Sequence, residues 1–116
     1  MTNVEEIKQL MKKHFDTANR MDFEGFMSTW AEDIRIEFIE TGQVLEGIET
    51  VKQHYTQLFG QVSEFHVKAV ETIIYNNFVV NREEITSCSN PDFVGMKSLW
   101  VNEIVDGKIK RAWGYY

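Results

Sequence analysis

The chain has 116 residues, of which 43% are hydrophobic and 13% aromatic, enough to build the core of one domain over residues 1–116. Its formal net charge of −6 argues against nucleic-acid binding, which needs Lys and Arg to contact phosphates. No apolar run approaches the ~20 residues of a membrane span, and the N-terminus lacks the apolar core of a signal peptide. Cys88 is the only cysteine, so we expect a reduced, cytoplasmic domain that binds neither membrane nor nucleic acid.

The first residues predict two helices. Residues 4–20 carry apolar side chains at helical spacing, and His14 falls within this apolar stripe rather than opposite it. Asp22 is a plausible N-cap for a short second helix, which would begin at Phe23. The stripe places His14 on the buried side of the first helix.

The next stretch predicts a strand followed by a third helix. Apolar and charged residues alternate from Ile34 to Phe38, which is typical of a strand with one buried face. Gly42 and Gly47 bracket a short crossing, after which apolar residues recur at helical spacing as far as Gly60. Two helices therefore flank one strand.

The rest of the chain predicts an antiparallel meander. Residues 65–75, 78–87, 96–105 and 108–116 have strand character, and turn residues such as Asn76-Asn77 and Asp106-Gly107 separate them. Helices first and strands second indicate an α+β fold. A curved sheet with helices on its concave side would leave an apolar cavity between the layers.

This order of elements and three sequence features resemble the nuclear transport factor 2-like superfamily, and within it the SnoaL-like and ketosteroid-isomerase-like proteins. The features are DFEGFMSTWAEDIRIEF at residues 22–38, Gly47 before an amphipathic helix, and VDGKI at residues 105–109. The resemblance implies a cone of three N-terminal helices packed on a curved, mostly antiparallel sheet. It implies no single function, because this fold carries isomerases, cyclases, dehydratases and non-catalytic modules.

The ketosteroid-isomerase pattern transfers to four positions of this chain. The resemblance puts His14 where those enzymes have an oxyanion-binding tyrosine, and Tyr55 where they have a supporting tyrosine. It puts Phe38 at the position of their general base and Leu99 near that of their second acid. A phenyl ring cannot accept a proton, so we do not expect steroid isomerisation by that mechanism.

His14 is the strongest candidate for a catalytic acid or base, because the pKa of histidine lies near neutrality. Tyr55 would be its orienting partner. The alternative is a buried histidine that is merely satisfied by a neighbour such as Tyr55. Periodicity alone favours the buried, satisfied histidine, and the resemblance to the ketosteroid-isomerase pattern brings the two interpretations close to even.

Arg82 and Glu84 form a second candidate, two residues apart on one strand. If their face is concave, they place a pair of opposite charges in the cavity, which would suggest a functional site. In the opposite register, Val79 and Ile85 face inward and both charges lie in water. Either orientation fits the sequence.

The resemblance also predicts the walls of the cavity. The expected ligand-binding residues are Trp30, Phe38, His54, Phe59, Leu99, Val101, Ala112 and Tyr116. In that register Trp100 and Asn102 would face outward, which is consistent with a homodimer through the convex face of the sheet.

No metal or cofactor site is expected. The three histidines lie on different elements, and no metal-ligand spacing or phosphate-binding loop occurs in the sequence. The first hypothesis is a cofactor-free SnoaL-like enzyme that isomerises, cyclises or dehydrates a small, mostly apolar molecule by proton transfer. The alternative is a non-catalytic ligand-binding or dimeric scaffold module of the same fold.

Overall fold

The computed structural model describes residues 3–116, so the first two residues of the predicted domain lie outside the described part. The three predicted helices are present as α1 (Val4–Asn19), α2 (Phe23–Met27) and α3 (Ile48–Gly60). Among residues 3–116, none of the helices has the length and apolar character needed to cross a membrane.

Six strands form one curved sheet. They are β1 (Trp30–Phe38), β2 (Val44–Glu46), β3 (Phe65–Tyr75), β4 (Phe78–Cys88), β5 (Lys97–Val105) and β6 (Lys108–Tyr115). Their order is β2-β1-β6-β5-β4-β3, and only the β1–β6 pair is parallel. The α+β prediction is confirmed. The crossing between Gly42 and Gly47 contains β2, which the sequence did not reveal because only three residues pair there.

Side-chain caps fix the starts of the first two helices. The Asn3 carboxamide accepts a hydrogen bond from the backbone N–H of Glu6 at 2.9 Å. The predicted cap on α2 is confirmed, because the Asp22 carboxylate accepts from the backbone N–H of Gly25 at 3.0 Å. Such caps satisfy N–H groups that have no partner within the helix.

Asn19, the last residue of α1, ties this helix to the edge strand β3. Its side-chain amide donates to the carbonyl of Val67 at 3.1 Å and accepts from the N–H of Val67 at 2.9 Å. The pairing of β3 with β4 shifts between His66 and Val67, so a bulge makes these backbone groups available. The two bonds fix the position of α1 over the sheet.

The concave face of the sheet carries the core. On β1, Ile34 and Ile36 are fully buried, as their alternation predicts. On β4 the buried residues are Val79 and Asn81, and on β5 they include Trp100. Inward residues of adjacent strands are in register, so each inward position meets a neighbour on the same face.

Gly114 makes room for Trp100 in this arrangement. Gly114 of β6 is paired with Trp100 of β5. A Cβ atom at position 114 would overlap the Trp100 indole. The ring therefore lies directly over the backbone of β6, a close approach that only glycine permits.

The replacement Asn19→Ala should lower the free energy of unfolding by about 2 kcal/mol, because it removes two hydrogen bonds and leaves the backbone groups of Val67 unpaired. Urea denaturation measures this loss. Asn90→Ala is the control, since the Asn90 side chain accepts only one hydrogen bond, from the exposed N–H of Asp92. Equal losses in both variants would show that Asn19 does not hold α1 to β3.

Candidate functional site

A cavity of about 180 Å³ lies between the helices and the concave face of the sheet. Half of its lining residues are aromatic, and they come from α1, α2, α3 and the sheet. The polar side chains that reach it include His14, Glu83, Ser98 and Asn102, together with the hydroxyl-bearing Tyr55 and Tyr116. No lysine or arginine is among the lining residues that the structure describes.

His14 is held by Thr29, which is fully buried. The Thr29 hydroxyl donates to the carbonyl of Phe26 at 2.7 Å, and its oxygen lies 2.8 Å from His14 Nδ1. Because the only proton of this hydroxyl is used on Phe26, the oxygen accepts from Nδ1–H. We therefore assign the tautomer that leaves a lone pair on Nε2.

The aromatic surroundings of His14 keep it uncharged. Its ring lies 4.7 Å from that of Phe26 and 5.1 Å from that of Trp30, measured between centroids. Burial lowers the pKa of His14 to about 4, because a charged imidazolium loses its hydration in such a place. At neutral pH His14 is a neutral base.

Glu83 is the acidic group of the cavity. It lies on β4, opposite Ser98 of β5, and lines the cavity as a half-buried residue. Burial raises the pKa of Glu83 to about 8, since the apolar walls disfavour the carboxylate. No other residue in 3–116 forms a hydrogen bond or ion pair with its carboxyl group, so at neutral pH Glu83 is mostly a neutral acid with a free proton.

Two tyrosine hydroxyls lie within the electrostatic reach of Glu83. Burial, together with a smaller contribution from the charge of Glu83, raises the pKa of Tyr116 to about 12. Burial and the proximity of Tyr116 and Glu83 also raise the pKa of Tyr55. Both tyrosines therefore stay protonated and supply O–H donors next to the neutral acid.

Stacked rings hold the two tyrosines in place. Tyr55 stacks on Trp30 with centroids 5.9 Å apart, and Tyr116 stacks on Phe38 at 6.3 Å. Within residues 3–116, Trp30 Nε1 is the one fully buried side-chain nitrogen or oxygen without a hydrogen-bond partner. The unbonded oxygens of Glu83 and Tyr55 consequently keep accessible surface, and both residues line the cavity.

A family model for the SnoaL-like domain matches residues 11–112, most of the chain and nearly all of the elements just described. The chain belongs to the SnoaL-like domain family. No curated protein matches the sequence.

Several solved structures share the fold of this SnoaL-like domain. A SnoaL-like protein of unknown function from Burkholderia thailandensis is 16% identical, with a TM-score of 0.82 over 98% of this chain and 96% of that chain. A proposed ketosteroid isomerase from Kribbella flavida is 21% identical, with a TM-score of 0.77 over 99% and 80%. A proposed polyketide cyclase from Sinorhizobium meliloti is 18% identical, with a TM-score of 0.76 over 91% and 93%. At these identities the likeness establishes the fold alone.

The predicted charge pair in the cavity is wrong. Arg82 is exposed and pairs with Glu71 at 2.8 Å, and Glu84 lies outside the cavity lining. The opposite register holds, with Val79 buried and Ile85 in the cavity wall. Glu83, between the two predicted residues, is the group that points inward.

His14 and Tyr55 both line the cavity of the SnoaL-like domain, but they are not hydrogen-bonded to each other. The partner of His14 is Thr29. Tyr55 lies instead near Glu83 and Tyr116. The predicted orienting role of Tyr55 is therefore wrong, although both side chains reach the same space.

The predicted walls divide into two groups. Trp30, Phe59 and Tyr116 line the cavity. The remaining five do not: Phe38, His54, Leu99, Val101 and Ala112 are absent from the lining.

These five residues lie outside the lining because of the sheet face on which they lie or because they are buried in the core. Leu99 is 43% exposed, and Val101 shares its face, so both point to the convex side. Ala112 is buried in the core. Phe38 is buried, and its ring lies 5.6 Å from that of His54 and 6.3 Å from that of Tyr116, measured between centroids.

Trp100 and Asn102 face inward and line the cavity, so the prediction that they point outward is wrong. The sequence contained a sign of this orientation. Glu103 lies on the same face of β5 as Leu99 and Val101, and a charged residue indicates the solvent-exposed face.

Among residues 3–116, no group of three or more metal-ligating side chains converges at this site or elsewhere.

At high pH the variant Glu83→Gln should have a larger free energy of unfolding than the parent protein. Folding raises the pKa of Glu83 from 4.5 to about 8. Its contribution to the stability of the folded state is therefore fully present below pH 4.5 and is lost as the pH rises through 8. At pH 7 the loss amounts to about 3 kcal/mol, at roughly 1.4 kcal/mol per pH unit. Thermal denaturation between pH 4.5 and 8.5 should show a gap between variant and parent that opens with pH. Glu84→Gln, on the same strand but outside the cavity, should show none, and a constant gap for Glu83→Gln would contradict the assignment.

Proposed function

We propose that this SnoaL-like domain is a cofactor-independent enzyme that moves a proton on an enolisable carbonyl compound, in an isomerisation or cyclisation of a small, mostly apolar ligand. The observation that carries the proposal is that Glu83, Tyr55 and Tyr116 line the same mostly apolar cavity as His14, where burial raises the pKa of Glu83 to about 8. The single, half-buried Cys88 and the formal net charge of −6 are consistent with a cytoplasmic site of action.

The acid side of this mechanism is Glu83. A protonated carboxyl group donates a strong hydrogen bond to a carbonyl oxygen, and the bond strengthens as enolate charge develops on that oxygen. The hydroxyls of Tyr55 and Tyr116 supply further donors. Both tyrosine pKa values are raised, so the donors remain protonated over the whole working range.

The base side is His14. With Nδ1–H bonded to Thr29, the lone pair on Nε2 is available to remove a proton from the carbon next to the carbonyl. Opposite shifts in pKa keep His14 unprotonated and Glu83 protonated at the same pH. Such a separation is typical of acid and base groups that act together.

The aromatic walls complete the mechanism. They exclude water from around the reacting atoms, and electrostatic interactions are stronger in a medium of low dielectric constant. Phe38 does not take part, because it is not among the residues that line the cavity and a phenyl ring cannot accept a proton. The proton therefore has to leave through His14 rather than through the strand position used by ketosteroid isomerases.

The conversion of 3-cyclohexen-1-one into its conjugated isomer tests the proposal, since the product absorbs in the ultraviolet. We expect His14→Ala and Glu83→Ala each to lower kcat by about two orders of magnitude. The rate should be level near neutrality, fall above pH 8 as Glu83 ionises, and fall towards pH 4 as His14 gains a proton.

Glu84→Ala is the matched control, because it removes a carboxyl group from β4 without altering the cavity lining. It should leave kcat and the pH profile unchanged. A rate that is insensitive to His14→Ala and Glu83→Ala would refute the mechanism. Such a result would favour the alternative, a non-catalytic ligand-binding or scaffold module.

An apolar stripe on the convex face favours a homodimer, which we propose for either function. Register places Ile73, Val80, Val101 and Trp113 side by side across four strands, with Leu99 and Tyr115 in the next row. Ile73 is 62% exposed and Tyr115 is 51% exposed. A patch of this kind is unusual on the surface of a monomer.

Sedimentation of the protein at micromolar concentration should therefore give the mass of a dimer. Val101→Glu should give a monomer, because it places a charge in the middle of the stripe. The control Lys12→Glu, on the exposed side of α1, should remain dimeric. A monomeric parent protein would remove the support for this interface.

A further inference from the structure

We infer that the cavity accepts compounds with a single ring, and that Trp100 sets this limit on size. The inference rests on the proposed function only for the reaction that a bound compound would undergo. The size limit itself applies to binding, so it is testable without any turnover.

The cavity volume supports a small ligand. At about 180 Å³ it only slightly exceeds the ~150 Å³ apolar cavity that is known to hold benzene. Pockets for drug-sized molecules enclose roughly 300–1,000 Å³. One six-membered ring with a carbonyl or hydroxyl group fits this space, whereas four fused rings do not.

Trp100 is the large side chain that the middle of the sheet projects into the cavity. The other lining residues of β5 are Ser98 and Asn102, which are smaller. Trp100 is only 7% exposed, and its ring contacts Phe38 at 5.8 Å and Tyr116 at 6.0 Å. These edge-to-face contacts hold the indole at a fixed angle.

The indole cannot move away from a ligand. Gly114 lies directly behind it, at a separation that leaves no space even for a Cβ atom. The ring is therefore already as close to the backbone of β6 as packing allows. A larger ligand would have to displace either the sheet or the helices, and close-packed interiors resist such displacement.

The polar end of the cavity determines where a ligand lies relative to the Trp100 indole. A ligand oxygen that bonds Glu83 also lies near Tyr116, because these two groups interact electrostatically. Tyr116 in turn contacts Trp100. A ligand that bonds Glu83 therefore shares the cavity with the indole, which is part of the same lining.

Phenols, which resemble enols in shape and polarity, are suitable probes for calorimetric titration. We expect phenol to bind, 2-naphthol to bind about tenfold more weakly, and the four-ring phenol estradiol not to bind. This order is diagnostic, because an apolar site without a size limit prefers the larger ligand in proportion to its buried area. Equal or tighter binding of 2-naphthol would overturn the inference.

The variant Trp100→Phe tests the residue itself. It removes one ring of the indole, and the ratio of 2-naphthol to phenol affinity should rise by about tenfold. Tyr75→Leu is the control, because it also removes an aromatic ring from the sheet, and Tyr75 is exposed and lies outside the lining. Its ratio should equal that of the parent, and an unchanged ratio in Trp100→Phe would refute the role of Trp100.

Gly114→Ala gives a second, opposite test. The added methyl group should push the indole into the cavity and weaken phenol binding by about tenfold. This variant keeps the assignment testable if Trp100→Phe does not fold, which circular dichroism would reveal. Phenol binding that is unaffected in a folded Gly114→Ala variant would contradict the inference.

The two proposals fail separately. If the size order holds but 3-cyclohexen-1-one is not converted, the reaction is wrong and the single-ring site stands. If 3-cyclohexen-1-one is converted and 2-naphthol binds as tightly as phenol, the reaction stands and the size limit is wrong.

Discussion

The register between β4, β5 and β6 determines which side chains of the sheet line the cavity. Asn81, Trp100 and Gly114 form one row across the three strands, and each faces the helices. Glu83 lies two residues after Asn81 on β4, so it faces the helices as well, because side chains alternate between the two faces of a strand. A slip of one residue would exchange this acid for Arg82 or Glu84 and would turn the indole outward. The glycine at position 114 favours the observed register, because a Cβ atom at that position would overlap the Trp100 indole.

The helices and most strand boundaries were predictable, since they depend on local periodicity. β3 was predicted with its observed limits, and the inward phase of β1 followed from its alternation of apolar and charged residues. The phase of β4 was not predictable in this way. Both of its faces mix apolar and polar residues, so the choice depends on partners in other strands. The pairing of Trp100 with Gly114, which would have settled the phase of β5, joins residues from two different strands.

The transfer of site residues from relatives failed for a related reason. The family pattern places an acid near Leu99, which is exposed here. The acid of this cavity comes instead from Glu83 on the neighbouring strand, which is paired with Ser98 and follows directly after Arg82, the residue paired with Leu99. A carboxyl group can reach the same space from either strand. The fold therefore constrains where polar groups are needed more strongly than which strand supplies them.

The parallel pairing of β1 with β6 has a consequence for the order of folding. This pair joins Ile36 to Ala112, whereas the other strand pairs connect neighbours along the chain. We therefore expect two locally organised halves, β1–β2 and the meander from β3 to β6, to form before β1 pairs with β6 along the seam between them. Contacts between residues far apart in the sequence form slowly. Trp30 and Tyr116 stand on opposite sides of this seam. The cavity consequently exists only in the fully assembled sheet, and a partly folded chain lacks it.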